Sequence, residues 1–129
     1  MKETVFISIG SNLYAEKNII LVKDHLDLLF DVTYSSIYKT PAEGFIGEDF
    51  LNRVCKFETE MNPYEIRRIL KEIEKDMGRV RVEKWGERII DIDILFFNDE
   101  IIESSDLCIP HRYISKRRFV LEPLFEIAG

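Results

Sequence analysis

Cysteine is scarce in this chain. Of its 129 residues only Cys55 and Cys108 carry thiols, too few for a disulfide framework, and neither lies in a metal-ligand motif. Small buried thiols in a reducing cytosol are the expected reading. Long apolar runs are missing too, so no membrane span is expected. Residues 1–10 hold too short an apolar stretch for a signal peptide. There is no internal repeat, low-complexity segment or linker. Nor is there an excess of positive charge: the formal balance of −6 argues against general nucleic-acid binding. What is present, 46% apolar and 12% aromatic residues, describes a folded globular chain. One cytoplasmic domain over residues 1–129 is expected, long enough for one core and short for two.

The cations are unevenly placed. Residues 79–88 hold four cations against two anions, and residues 112–118 hold four cations and no anion. Local basic clusters on an acidic chain point to a confined anionic ligand, although solvated charged loops would look the same. The first cluster, Arg79, Arg81, Lys84 and Arg88 with Trp85 among them, runs directly into an apolar strand carrying Asp91 and Asp93. Its alternation sets Asp91, Asp93, Leu95 and Phe97 against Ile90, Ile92, Ile94 and Phe96. Residues i and i+2 of a strand share a face, about 6.5–7 Å apart. Two carboxylates so placed can converge on a divalent cation while guanidinium groups hold phosphate oxygens. The bland alternative is two acids on the wet face of an edge strand.

Around this segment the chain reads as alternating strands and helices. A strand over residues 3–9 stops at the turn signal Gly10-Ser11-Asn12, which lacks the glycines and the Gly-Lys-Ser/Thr ending of a P-loop. A helix over roughly 15–30 follows, with Ile19, Val22, Leu26 and Leu29 as its apolar stripe. Residues 32–39 form a second strand and residues 50–59 a third. The Pro- and Gly-broken stretch 40–49 between them is a candidate lid. Asn62-Pro63-Tyr64-Glu65 starts a helix through a capping box with Pro at the first position. Ile66, Ile69, Leu70, Ile73 and Met77 give it an apolar face, and Gly78 ends it. After the aspartate strand, Asn98-Asp99 turns into a short strand at Ile101-Ile102. The order strand-helix-strand-strand-helix-strand predicts an α+β fold, a ferredoxin-like βαββαβ core with an antiparallel sheet and its helices on one face. Such a fold hosts many functions, so the site must decide.

Individual residues leave more than one reading open. Trp85 could be a hydrophobic anchor or part of a mobile phosphate clamp. His111, after Pro110, would more often be structural than catalytic, and Phe119 more often core. A magnesium-dependent phosphotransferase or phosphohydrolase fits the residues, and so does a ferredoxin-like RNA-binding module. The latter would need aromatics and basic charge on the sheet rather than in loops.

The ordered set of short motifs narrows this. Ile-Gly-Ser-Asn-Leu at 9–13, Tyr-Lys-Thr-Pro at 38–41 and Phe-Leu-Asn at 50–52 are followed by Gly-Arg-Val-Arg at 78–81 and Lys-Trp-Gly-Glu-Arg at 84–88. Asp-Ile-Asp-Ile-Leu at 91–95, Ile-Pro-His at 109–111 and Arg-Arg-Phe-Val-Leu-Glu-Pro-Leu at 117–124 complete it. With these the chain resembles the 6-hydroxymethyl-7,8-dihydropterin pyrophosphokinases of folate biosynthesis. The resemblance implies transfer of pyrophosphate from ATP to the pterin hydroxymethyl group, releasing AMP, on an α/β/α ferredoxin-like enzyme. It implies that Asp91 and Asp93 hold two Mg2+ ions, and that Arg79, Arg81, Trp85 and Arg88 are catalytic, Arg81 and Trp85 on a mobile loop. ATP would be met by Glu74, Arg79, Arg81, Arg88, Ile94, His111 and Arg117. The pterin would stack between Phe50 and Phe119, read by Thr40, Pro41, Glu43 and Asn52, with Trp85 and Asp93 adjoining. ATP and the pterin are the partners implied, without nucleic acid or membrane, for a monomer or weak homodimer. Phe50, Glu87 and Arg112 depart from residues common in the family, Tyr, Pro and an aromatic respectively.

Overall fold

A computed structural model of the chain describes residues 2–12, 14–40, 49–77, 90–104, 107–111 and 118–128. Ten elements follow in order: β1 (Glu3–Ser11), α1 (Ala15–Asp27), β2 (Thr33–Tyr34), β3 (Tyr38–Thr40), β4 (Phe50–Thr59), α2 (Pro63–Asp76), β5 (Asp91–Phe97), β6 (Ile102–Glu103), β7 (Cys108–Ile109) and α3 (Arg118–Ala128). The main sheet is antiparallel throughout, in the order β2-β4-β1-β5, with β3 continuing the β2 edge along β4. A separate hairpin pairs β6 with β7.

β1 runs two residues past the expected turn. Gly10 and Ser11 still pair, Gly10 with both Asn52 and Asp91, Ser11 with Leu51. A central strand has neighbours on both sides, so the ladder overrides the local turn preference of Gly-Ser-Asn. α1 stops at Asp27, which leaves Leu29 outside the helix and 54% exposed rather than on its apolar stripe. The strand expected over 32–39 is two short strands broken at residues 35–37. α2 starts as predicted. The Asn62 side chain accepts from the Glu65 amide at 2.9 Å and the Glu65 carboxylate accepts from the Asn62 amide at 3.2 Å. Ile66, Leu70 and Ile73 are buried, with Ile69 and Met77 packed at the margin; Gly78 lies outside the described residues.

α1 and α2 cover one face of the sheet. Ile19, Val22 and Leu26 of α1 and Ile66, Leu70 and Ile73 of α2 meet Val5, Ile7, Ile9, Cys55, Phe57, Ile92, Ile94 and Phe97. The opposite face is covered by α3, where Val54, Leu95, Leu124 and Ile127 form a second cluster edged by Phe6 and Phe96. Helices therefore lie on both faces, not one. The tail, for which residue pattern alone predicts no element, is a helix through Pro123.

One irregularity matters for the site. Between Phe6 and Ile7 the β1–β5 register slips, so that Phe6 faces Phe96 while Ile7 faces Ile94 and Leu95 opposes no β1 residue. Such a bulge breaks the two-residue alternation. Leu95 and Phe96 both join the α3-side cluster, and Phe97 joins the α1/α2 core with Ile92 and Ile94. The expected exchange of faces at Phe96 and Phe97 is thus reversed, whereas Asp91 and Asp93, before the bulge, keep their shared face. Cys55 is buried as expected, but Cys108 is only half-buried. Among the described residues no helix is long and apolar enough to cross a membrane.

Candidate active site

Strand pairing sets the candidate residues in rows across one face of the sheet. Asn52 of β4, Gly10 of β1 and Asp91 of β5 form one row; Val54, Ser8 and Asp93 form the next. At the β4 edge, Tyr38 pairs with Asn52 and Thr40 with Phe50. Because paired residues share a face, Thr40, Phe50, Asn52, Asp91 and Asp93 all stand on the α3 side. Neighbouring strands are about 4.8 Å apart, so Asn52 and Asp91, two strands apart, are about 10 Å from one another across Gly10.

Gly10 keeps that interval open. A Cβ at this position would come within 3.2 Å of Asn52 Oδ1. Asn52 is nearly buried, 5% exposed, and its Nδ2 donates to Thr40 Oγ1 at 2.9 Å. That bond fixes which way the amide faces and joins two of the expected pterin-reading residues. Gly10-Ser11-Asn12 has the composition of a turn, yet a glycine within a strand pattern is equally a sign of close approach.

The aspartates are half-buried on an edge strand. Between them, the Ile92 N–H points away from β1 and donates to Glu74 Oε2 at 2.8 Å. Glu74 comes from α2, is 2% exposed, and also meets Lys71 Nζ through Oε1 at 3.2 Å. An edge strand leaves alternate amides unpaired, and here a buried carboxylate takes the one between the two acids. On the same strand Leu95 accepts from the His111 backbone N–H at 3.0 Å, which brings half-buried His111 to the β5 edge. Ile94 is 5% exposed and faces the α1/α2 core, so its side chain is a packing residue first.

Asp91 and Asp93 present two hard oxygen donors on one face. Among the described residues there is no group of three or more His, Cys, Asp or Glu able to hold a metal ion. Two carboxylates and no imidazole or thiolate suit Mg2+, which takes one or two carboxylates and completes its shell with water and phosphate oxygens. The donor set fits that ion.

The remaining candidates divide by position. Arg79, Arg81, Trp85, Arg88, Pro41, Glu43 and Arg117 lie outside the described residues, as do Glu87, Arg112 and residues 41–48 of the candidate lid at 40–49. Phe119 falls at the start of α3, and its side chain is likewise outside the description.

Several relatives align with nearly all of the chain. A Haemophilus influenzae protein named 2-amino-4-hydroxy-6-hydroxymethyldihydropteridine pyrophosphokinase is 42% identical over 98% of the chain and 82% of its own length. Proteins of the same name from Bacillus subtilis and Aquifex aeolicus are 37% and 38% identical, over 98% and 96% of the chain and 79% of each relative. The family model for 7,8-dihydro-6-hydroxymethylpterin-pyrophosphokinase matches residues 6–129. With a match that begins inside β1 and takes in every element after it, the chain belongs to the 7,8-dihydro-6-hydroxymethylpterin-pyrophosphokinase family.

Proposed function

We propose that the chain transfers the pyrophosphoryl group of ATP to the hydroxymethyl oxygen of 6-hydroxymethyl-7,8-dihydropterin, a step of folate biosynthesis. The observation that carries this reading is the shared face of β3, β4, β1 and β5. It sets the Thr40–Asn52 pair on one side of Gly10 and the Asp91/Asp93 pair on the other. A heterocycle on the first pair and a metal-bound triphosphate on the second would meet over Gly10. The sheet order, with β1 between β4 and β5, supports a ferredoxin-like reading of the fold.

In the reaction the pterin hydroxymethyl oxygen forms a bond to the β-phosphorus of ATP. The bond from that phosphorus to the oxygen bridging the α-phosphate breaks, AMP departs, and the hydroxyl proton passes to solvent. Mg2+ bound by Asp91 and Asp93, two ions in this reading, would neutralise phosphate charge and acidify the hydroxyl. Asn52, with Thr40 holding its amide, orients the pterin, stacked between Phe50 and Phe119 and read further by Pro41 and Glu43. Arg79, Arg81, Arg88 and Arg117, with His111, grip phosphates, since a planar guanidinium can donate two parallel bonds to a phosphate. Glu74 and Ile94 stand near the nucleotide. Trp85 and the cationic segment close over the reactants and exclude water, which favours transfer over hydrolysis. Positioning and charge stabilisation supply most of the acceleration in such transfers. The enzyme works in the cytoplasm as a monomer or weak homodimer, without nucleic acid or membrane.

Incubation with ATP, Mg2+ and the reduced pterin alcohol is expected to yield AMP and the pterin diphosphate. ADP, or turnover independent of the pterin, would refute the reading. Asp93→Ala is expected to lose nearly all turnover with an unchanged circular dichroism spectrum, and retained turnover would move the metal seat elsewhere.

A further inference from the structure

α3 is tied to the edge of the sheet by one carboxylate. Glu126 Oε2 accepts from the Ser36 backbone N–H at 2.8 Å and from Ser36 Oγ at 3.1 Å, and Oε1 accepts from the Tyr38 hydroxyl at 2.7 Å. Ser36 lies in the break between β2 and β3, where its amide has no strand neighbour to pair with. The segment just before it is held to β4: Ser35 N donates to Val54 O at 2.8 Å, Val54 N to Ser35 Oγ at 3.0 Å, and Arg53 Nε to Ser35 O at 3.0 Å. Next to Glu126, at the same end of the helix, Lys56 Nζ of β4 donates to Ile127 O at 2.7 Å. Among the described residues the apolar contact of α3 is with β4 and β5 through Val54 and Leu95, and Glu126 supplies its hydrogen bonds to Ser36 and Tyr38.

Position matters more than strength here. Thr40 is two residues beyond Tyr38 on the same face of β3, about 7 Å away along the strand. Position 119 is seven residues before Glu126, two turns of α3 and about 10 Å along the helix axis, on the same side of it. We infer that Glu126 is a positioning residue for the pterin: by clamping α3 to Ser36 and Tyr38 it sets the spacing between the β3–β4 edge and the start of α3. This rests on the proposed function, which assigns the pterin to those two elements. The Glu126 carboxylate itself touches neither substrate.

Binding is measured by titration calorimetry on the full chain, with the reduced pterin in the presence of a non-hydrolysable ATP analogue and Mg2+, and separately with the analogue and Mg2+ alone. Glu126→Ala is expected to weaken the pterin about tenfold, equivalent to about 1.4 kcal/mol, and to leave analogue affinity within about twofold. Glu126→Gln keeps an acceptor and is expected to fall between; Tyr38→Phe, which leaves the Ser36 bonds, is expected to do the same. These two milder variants decide the matter if Glu126→Ala does not fold. Unchanged pterin affinity, or equal weakening of both ligands alongside a lower melting temperature, overturns the inference and leaves Glu126 a structural residue. A wild-type chain that binds the analogue and not the pterin removes the functional reading, and this one with it.

Discussion

At the scale of single residues, the site depends on groups that carry no reaction chemistry themselves. Gly10 contributes space. Gly10→Ala would set a Cβ 3.2 Å from Asn52 Oδ1, so the amide must give way by a few tenths of an ångström. The Thr40 bond restrains it from doing so. The expected outcome is a several-fold rise in KM for the pterin, with unfolding free energy changed by less than about 1 kcal/mol, since alanine costs a strand little. Steady-state kinetics with each substrate varied in turn and a urea titration check both halves. Glu74 contributes a lone pair. Glu74→Ala would leave the Ile92 amide without its acceptor on the outer edge of β5, at a cost of about 1–3 kcal/mol. Faster hydrogen exchange at Ile92 than in the wild type would locate the loss on the strand between the two aspartates.

At the scale of elements, the strand carrying those aspartates is shaped by a bulge, and α3 by a small apolar cluster. Leu95 opposes no β1 residue and turns toward α3, where it meets Val54, Leu124 and Ile127. Leu124→Ala would open a cavity under α3. Buried leucine truncations cost about 2–5 kcal/mol, and the low end is expected here because the cluster is small and Leu124 is 8% exposed. The urea midpoint should fall with an unchanged slope if α3 stays docked. A reduced slope would mean that the helix detaches in the native state. Much at this scale was legible beforehand. The capping box of α2 and its buried stripe follow from residue types at fixed spacing, and so does the Asp91/Asp93 pair. The bulge was not legible, because Ile94-Leu95-Phe96-Phe97 is apolar on both faces and any register buries it. α3 was obscured for a related reason. Pro123 argues against a helix locally, yet the two faces of the sheet need cover, and Leu124 and Ile127 provide it only as a helix.

At the scale of the whole molecule, titration sets a window of stability. The Asp27 carboxyl is held below its ordinary 3.8, first by the Lys23 side chain and then by the Tyr34 hydroxyl, which donates at 2.8 Å. Glu126 is held below 4.5, first by Tyr38 and then by the Ser36 amide. Both groups contribute stability above the ordinary carboxylate range, and the contribution is lost as pH falls through their depressed values. Glu100 works in the opposite sense. Burial first, and then Glu3, raise it above 4.5, so its ionisation disfavours the fold near neutrality and acid relieves that. At the alkaline end, burial pushes the Cys55 thiol above 9.0, and burial with the Asp27 bond pushes the Tyr34 phenol above 10.0. A raised value contributes stability below the ordinary one and loses it as pH climbs beyond. Melting temperatures measured against pH are expected to fall below about pH 4 and again above about pH 9, with a plateau between. Tyr34→Phe should narrow both flanks, because it removes the donor to Asp27 and the half-buried phenol together.

The sequence by itself determined the local and the chemical: which stretches bury an apolar face, where α2 begins, that two acids share one side of a strand, and which family the ordered motifs resemble. Those properties depend on residue type and spacing within a few turns or one strand, and they survive whatever the rest of the chain does. Only the tertiary structure decided that β1 runs on to Ser11, that Gly10 stands between Asn52 and Asp91, and that α3 closes the second face. It also brought Glu74 to the amide between the aspartates and Glu126 to Ser36 and Tyr38. Each of these joins residues from separate elements, up to 90 positions apart in the case of Glu126. Their geometry is set by strand register and by the demand that buried polar groups find partners. Neither of those is written in any single stretch of the chain.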